Sequence, residues 1–233
     1  ENPYPTLQLP PWIHDATEVT NSITDRLLAK LARDLLDSEV DREITEILPK
    51  RIGRIVITGG PCSGKSAVLE ILRLEIGVAV HCVPETATII IKQVGVRPPY
   101  GNRSGLRRYQ RTLYRVQRGF ETIADLQAVM DGKKALIIDR GTVDNAAYLP
   151  GGAKELEDVC RTSIREHEFP HYDLVVFLEP PPRAIYDALQ ANNGARYESY
   201  NEALAVSGRI ENAWKDHPRF VRISNGKNWD DKV

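Results

Sequence analysis

Three cysteines in 233 residues, no apolar run of membrane length and no acidic residue between positions 92 and 118 are the absences that bound this chain. Cys62, Cys82 and Cys160 lack the spacing of a metal site or a disulfide framework, so a reducing, cytoplasmic compartment is expected. No stretch approaches the roughly 18 apolar residues of a transmembrane helix, and no charged-then-apolar leader opens the sequence. The chain starts at Glu1 rather than Met, as expected of a trimmed N-terminus. A formal net charge of −1 argues against bulk nucleic-acid binding. What remains, 42% hydrophobic and 27% charged residues, is ordinary globular usage, long enough for one α/β domain with an appendage.

The charge is unevenly spread. Residues 1–50 carry ten acidic and five basic side chains, whereas residues 92–118 carry eight basic and no acidic ones. Arg108, Arg111, Arg115 and Arg118 recur every three or four positions, so they share one helical face with Arg107 at its edge. A solvated face is the default reading. The sharper one is a surface for a small anionic acceptor or an anionic lipid head group near Arg107, Arg108 and Arg111. Only Tyr100, Tyr109 and Tyr114 interleave as stacking groups, which argues against nucleic acid as a partner.

The most specific signal is the run Gly59-Gly60-Pro61-Cys62-Ser63-Gly64-Lys65-Ser66-Ala67, a G-x-x-x-x-G-K-S pattern. It follows the β-branched run Ile55, Val56 and Ile57 and precedes a helical pattern of Ala67, Leu69, Ile71, Leu72 and Leu74. The chemistry explains the residue types. Gly59 and Gly64 permit backbone conformations closed to residues with a Cβ, so successive N–H groups from Gly60 to Ser66 can converge on phosphate oxygens. The helix behind adds its positive end. Lys65 is expected to reach the β and γ phosphates of ATP or GTP, and the Ser66 hydroxyl to ligate Mg²⁺.

Along the rest of the chain, residues 1–18 read as a Pro-rich arm, and an amphipathic helical extension follows from Ser22 to Pro49. This makes residues 1–50 an appendage and 51–233 the nucleotide-binding domain. After the phosphate loop, strands are expected over 78–83, 135–138, 174–178 and 220–223, with helices over about 86–94, 106–130, 182–190 and 201–215. Such alternation predicts a parallel sheet with sites at the carboxyl ends of its strands. Three acidic residues fall there. Asp139, after A-L-I-I, matches a carboxylate that holds Mg²⁺ or its water beside Ser66. Glu85 is the candidate proton acceptor, and Glu179, before three prolines, reads as structural. Arg140 and Asp144 lie in D-R-G-T-V-D, where a guanidinium can neutralise a transferring phosphoryl group. Arg196, in a polar loop, and Arg183 are candidates for a closing lid.

The ordered set G-G-P-C-S-G-K-S, V-P-E-T-A, Y-Q-R with V-Q-R, I-I-D-R-G-x-x-D, H-Y-D-L-V-V-F-L-E-P, R-Y-E-S and V-R-I-S-N resembles the AAA-type ATP/GTP-binding domain related to ribosylnicotinamide kinase. The resemblance spans residues 52–233, and its relatives include the translocation-defect GTP-binding proteins. It implies an α/β P-loop fold with a five-stranded parallel sheet of order 2-3-1-4-5, a lid arginine at Arg196, Asn225 near the nucleotide base, and Gln110 and Gln117 facing an acceptor. It also implies a second domain after this one in some relatives, so a single-domain protein and a fragment are both open. Two functions follow as expectations. The first is transfer of the γ-phosphoryl group to a small nucleoside-, nucleotide- or cofactor-like acceptor, with Lys65, Glu85, Asp139, Arg140 and Arg196 as its machinery. The alternative is a nucleotide-dependent regulatory or trafficking module that binds phosphoinositide or another polyanion through the basic helix.

Overall fold

The computed structural model describes residues 52–191 and 199–224. The expected arm and helical extension over 1–50, Arg196 and Asn225 lie outside the described residues.

The first strand, β1 (Gly53–Gly59), runs into the phosphate loop and helix α1 (Lys65–Ile76). β2 (Val80–Val83) follows, then a short helix α2 (Thr86–Ile89) that loosens into a π-helical turn over Ile90–Val94. The long helix α3 (Arg103–Met130) leads to β3 (Ala135–Asp139). A 3-10 segment (Thr142–Tyr148), helix α4 (Gly152–Cys160), and two short turns over Ile164–Glu168 and Phe169–His171 precede β4 (Leu174–Leu178). Helices α5 (Arg183–Ala191) and α6 (Tyr200–Trp214) and strand β5 (Phe220–Ile223) complete the order.

All strand pairs are parallel and the sheet order is β2-β3-β1-β4-β5, as the sequence pattern implied. Alternation along the central strands sorts the two faces. Val56, Leu136, Ile138, Val175 and Phe177 pack with Ala124 and Ala128 of α3 and with Val206, Ile210 and Trp214 of α6. Ile57, Ile137 and Leu178 pack on the other face against Leu69 of α1. Burying each such branched or aromatic side chain contributes about 1.5–3 kcal/mol, so both faces hold the central strands in place. The register sets Ile57 beside Asp139 and Gly59 beside Leu178. The functional groups at the strand ends are therefore brought to one edge of the sheet.

Strand two is shorter than its sequence suggests. Val78 is 89% exposed, and Ala79 N–H closes a turn onto Ile76 O while Lys133 Nζ donates to Gly77 O. The turn that ends α1 thus takes the backbone groups a longer strand would have needed. Residues 142–148 and 164–171 carry turns and short helices that periodicity does not reveal, because neither run is long enough to show a repeat, and the helix α4 between them goes unpredicted as well.

Candidate functional site

The phosphate loop leaves β1 through Gly59 at φ 144°, and Cys62 (φ 58°) and Gly64 (φ 92°) also adopt positive φ. A Cβ on Gly59 would lie 2.4 Å from Leu178 O, so this position requires glycine on two counts. Gly60 is pressed against Ser207 and Ala203 O of α6. Cys62 is turned inward, packed with Tyr186 and Ala203. Pro61 and Gly64 are half-buried, while Ser66 and Ala67 open α1 at an exposed turn.

Lys65 is buried and folds back over the loop. Its Nζ donates to Gly59 O at 2.9 Å, Gly60 O at 2.8 Å and Ser63 Oγ at 3.3 Å. Burial, and secondly the nearby Arg140 charge, push its pKa down to about 7 against the pull of Asp139, Glu85 and Asp144. An ammonium held by carbonyls that hold no formal charge is poised to exchange them for anionic oxygens.

Glu85, two residues beyond β2, and Arg140, immediately after β3, meet across the sheet edge, with Arg140 Nε 2.7 Å from Glu85 Oε1. Thr88 Oγ1 donates to the second Glu85 oxygen at 2.7 Å. Desolvation raises the Glu85 pKa, but Arg140, Thr88 and Lys65 together outweigh it and hold the carboxyl below its ordinary value. Arg140 itself sits in the left-handed region at φ 66°. Its second anchor is Asp144, whose Oδ1 accepts from Arg140 NH1 at 3.2 Å and from Thr58 Oγ1. Asp144 Oδ2 accepts from Gly141 N at 3.0 Å and Trp214 Nε1 at 2.9 Å. A Cβ on Gly141 would come within 2.6 Å of the Trp214 ring, which explains the glycine of D-R-G.

Asp139 ends β3 beside this group. Desolvation first and the Glu85 charge second raise its pKa to about 6, opposed by Lys65 and Arg140. Its Oδ1 is buried with no hydrogen-bond partner among the described residues. A buried anionic oxygen left unpaired is costly unless a cation or a water completes it. Together with the exposed Ser66 hydroxyl and the Lys65 ammonium, these groups fit a Mg²⁺-polyphosphate. No group of three His, Cys, Asp or Glu ligands occurs among the described residues. A hard cation here would draw remaining oxygens from phosphate and water, the usual habit of Mg²⁺.

A cavity of about 170 Å³ opens next to the Glu85–Arg140 pair, between α2, α3 and the 3-10 segment. Tyr109, Gln110 and Asn145 line it, and in each a buried polar atom, Tyr109 OH, Gln110 Oε1 and Asn145 Nδ2, finds no hydrogen-bond partner among the described residues. A larger, open depression of about 530 Å³ at Arg165, Asp216 and His217 borders the start of β4, at the opposite strand ends.

The structure thus brings Lys65, Glu85, Asp139 and Arg140 together. Gln110 lines the cavity, whereas the Gln117 amide, expected to face an acceptor, is spent on Arg140 O at 2.6 Å and Glu121 Oε1 at 3.0 Å. Glu179 is structural, paired with Arg222 of β5. Arg183 is 73% exposed beside Asp187 on its own helix. The basic helix is not the uniform solvated face its spacing suggests. Arg107 lies 2.5 Å from the buried carboxylate of Glu155, with Arg103 at 3.3 Å. Arg118 is drawn towards Tyr172, Glu121 and Glu168, which raise its pKa despite its burial. Arg108 remains exposed and Arg111 half-buried. Thr58, Trp214 and Asn145 carried no sequence signal, since the first two act through Asp144, 86 and 70 positions away, and Asn145 only lines a cavity.

No helix among the described residues is long and apolar enough to cross a membrane. A comparison with curated proteins finds no match. A family model described as "AAA domain" matches residues 54–232, over three quarters of the chain and across the phosphate loop, all five strands and the Glu85–Arg140 edge. The chain therefore belongs to the AAA-domain family and carries a P-loop nucleotide-binding α/β fold.

Proposed function

We propose that this protein is a Mg²⁺-dependent kinase that transfers the γ-phosphoryl group of ATP or GTP to a hydroxyl of a small nucleoside-, nucleotide- or cofactor-like acceptor. The observation that carries the reading is the cavity beside Glu85 and Arg140, lined by Tyr109, Gln110 and Asn145, each of which buries a polar atom without a partner among the described residues. Buried polar atoms without partners are uncommon, and a cavity with several of them favours a polar small molecule that completes them.

Mg²⁺ held near Ser66 and Asp139 would supply charge neutralisation on the polyphosphate when bound. Loop N–H groups from Gly60 to Ser66 receive the phosphates, and Lys65 moves from the carbonyls of Gly59 and Gly60 onto phosphate oxygens. Arg140 uses Nε and one NH1 hydrogen on Glu85 and Asp144, leaving three of its five donors for the phosphoryl group. Glu85, ionised at neutral pH because its pKa is held low, orients the acceptor hydroxyl and takes its proton. Arg196 and Asn225 keep their proposed roles as lid arginine and base-side residue. A polyanion-binding role for the basic helix has less support, because Arg107 is already paired with Glu155 and Arg118 lies among carboxylates.

The test is incubation with γ-labelled ATP or GTP and Mg²⁺ in the presence of pooled nucleosides, nucleotides and cofactors, with Lys65→Ala as control. Label on one small molecule, absent in the control, is the expected result. Tight nucleotide binding with no transfer to any member of the pool would overturn the kinase reading.

A further inference from the structure

Arg140 sits in a left-handed backbone conformation that residues with a Cβ rarely adopt. Such a conformation persists only where the surroundings over-determine it. The chain around it is Arg140-Gly141-Thr142, and both polar backbone groups flanking Gly141 are gripped from behind. Arg140 O accepts from Gln117 Nε2 at 2.6 Å, and Thr142 N donates to Tyr172 OH at 3.0 Å. The two grips converge on one buried carboxylate. Glu121 Oε1 accepts from the same Gln117 amide at 3.0 Å and from Tyr172 OH at 3.0 Å.

Glu121 is itself fixed. His171 Nε2 is 2.8 Å from its Oε2, and His171 Nδ1 in turn lies 2.7 Å from Arg54 NH1 at the start of β1. None of these groups reaches the cavity except Gln117, whose amide hydrogens are already engaged. The cluster therefore faces away from any acceptor and towards the turn that carries Arg140.

We propose that Gln117, Tyr172 and Glu121 form a brace whose job is to hold the Arg140 turn, making Gln117 and Tyr172 positioning residues for the Arg140 guanidinium. This rests on the kinase reading for what Arg140 does, but not for where it points. Held from behind, the turn aims Nε at Glu85 and NH1 at Asp144 before any nucleotide arrives. Preorganised charge of this kind needs no rearrangement at the moment of reaction. Without the brace, the backbone can relax towards an ordinary φ and carry the side chain off Glu85.

The experiment uses the whole chain and reads the Arg140 Nε–H resonance in a proton–nitrogen spectrum, assigned by its loss in Arg140→Lys. In Gln117→Leu and in Tyr172→Phe the resonance should leave its native position, and its hydrogen exchange should accelerate about tenfold or more. Leu69→Ala, a truncation in the core cluster on the other face of the sheet, should lower thermal stability and leave the resonance in place. If transfer is detected, both brace variants should lose about tenfold in transfer rate with nucleotide affinity unchanged within about twofold. A native Arg140 resonance in a folded Gln117→Leu protein overturns the brace. Should that variant not fold, Tyr172→Phe, which removes one hydroxyl, carries the same expectation and the same refutation. A moved resonance in a protein that transfers phosphate to nothing supports the brace and overturns only the kinase reading.

Discussion

Replacing Asp144 by Asn should cost more stability than any other single-atom change at this sheet edge. The carboxylate is 2% exposed and accepts four hydrogen bonds, from Thr58 Oγ1 and Arg140 NH1 on one oxygen and from Gly141 N and Trp214 Nε1 on the other. An amide has the same shape but only one acceptor atom. Turned towards Gly141 N and Trp214 Nε1, its NH₂ leaves two donors unpaired; turned the other way, it can donate to the Thr58 hydroxyl but still leaves Arg140 NH1 without its acceptor. Each buried unpaired donor costs about 1–3 kcal/mol, and the charge shared with Arg140 is lost as well, although Glu85 still neutralises that guanidinium. In the better orientation the sum is roughly 2–4 kcal/mol, a large part of the roughly 5–15 kcal/mol that holds a domain together. Urea unfolding at pH 7, followed by tryptophan fluorescence, should show that loss, with the thermal midpoint down by roughly 8–15 °C. Thr58→Val, which removes a single donor, should cost only about 1 kcal/mol. A loss below about 1 kcal/mol for Asp144→Asn would refute the four-donor account.

Three further outcomes follow from the same groups. Glu85→Gln should lower transfer about a hundredfold or more while nucleotide affinity changes less than about threefold; unchanged turnover removes Glu85 as proton acceptor. Lys65, held near pKa 7 in the free protein, is neutral above that pH, and phosphate favours its protonated form. Nucleotide binding should therefore take up roughly half a proton at pH 7 and more at pH 8, with little uptake well below pH 7; calorimetry in buffers of different ionisation heat reads this, and no uptake at pH 8 contradicts it. Gln110→Leu should raise the acceptor KM about ten- to a hundredfold without moving the nucleotide KM, and an unaltered acceptor KM would remove Gln110 from acceptor recognition.

Much of this protein is legible in its sequence, for reasons that differ by element. The phosphate loop was legible because backbone geometry dictates its glycines and the chemistry dictates Lys65 and Ser66 at a fixed spacing. The central strands were legible because β1, β3 and β4 are buried on both faces, which leaves continuous apolar runs such as Leu174 to Leu178. The placement of Glu85, Asp139 and Arg140 at strand ends followed from parallel topology.

Local sequence does not specify partnerships that span the fold. Gln117 and Gln110 are both polar residues on the same helix, seven positions apart, and periodicity places them alike. Glu121 lies one turn from Gln117 on the same helix, but only the turn of the chain after β3 brings Arg140 O to Gln117 while Gln110 borders an open cavity. The arginines of that helix divide for the same reason. Arg107 pairs with Glu155 of α4, and Arg118 lies in the field of Glu168, from the turn before β4, as well as of Glu121 on its own helix. By itself the sequence determined the chemistry that a short stretch of backbone imposes: a phosphate cradle, a parallel sheet and charged groups at its edge. Tertiary packing alone decided which of those charges are neutralised in the interior and which are left to meet a ligand, because that depends on atoms brought together from positions 50 or more residues apart.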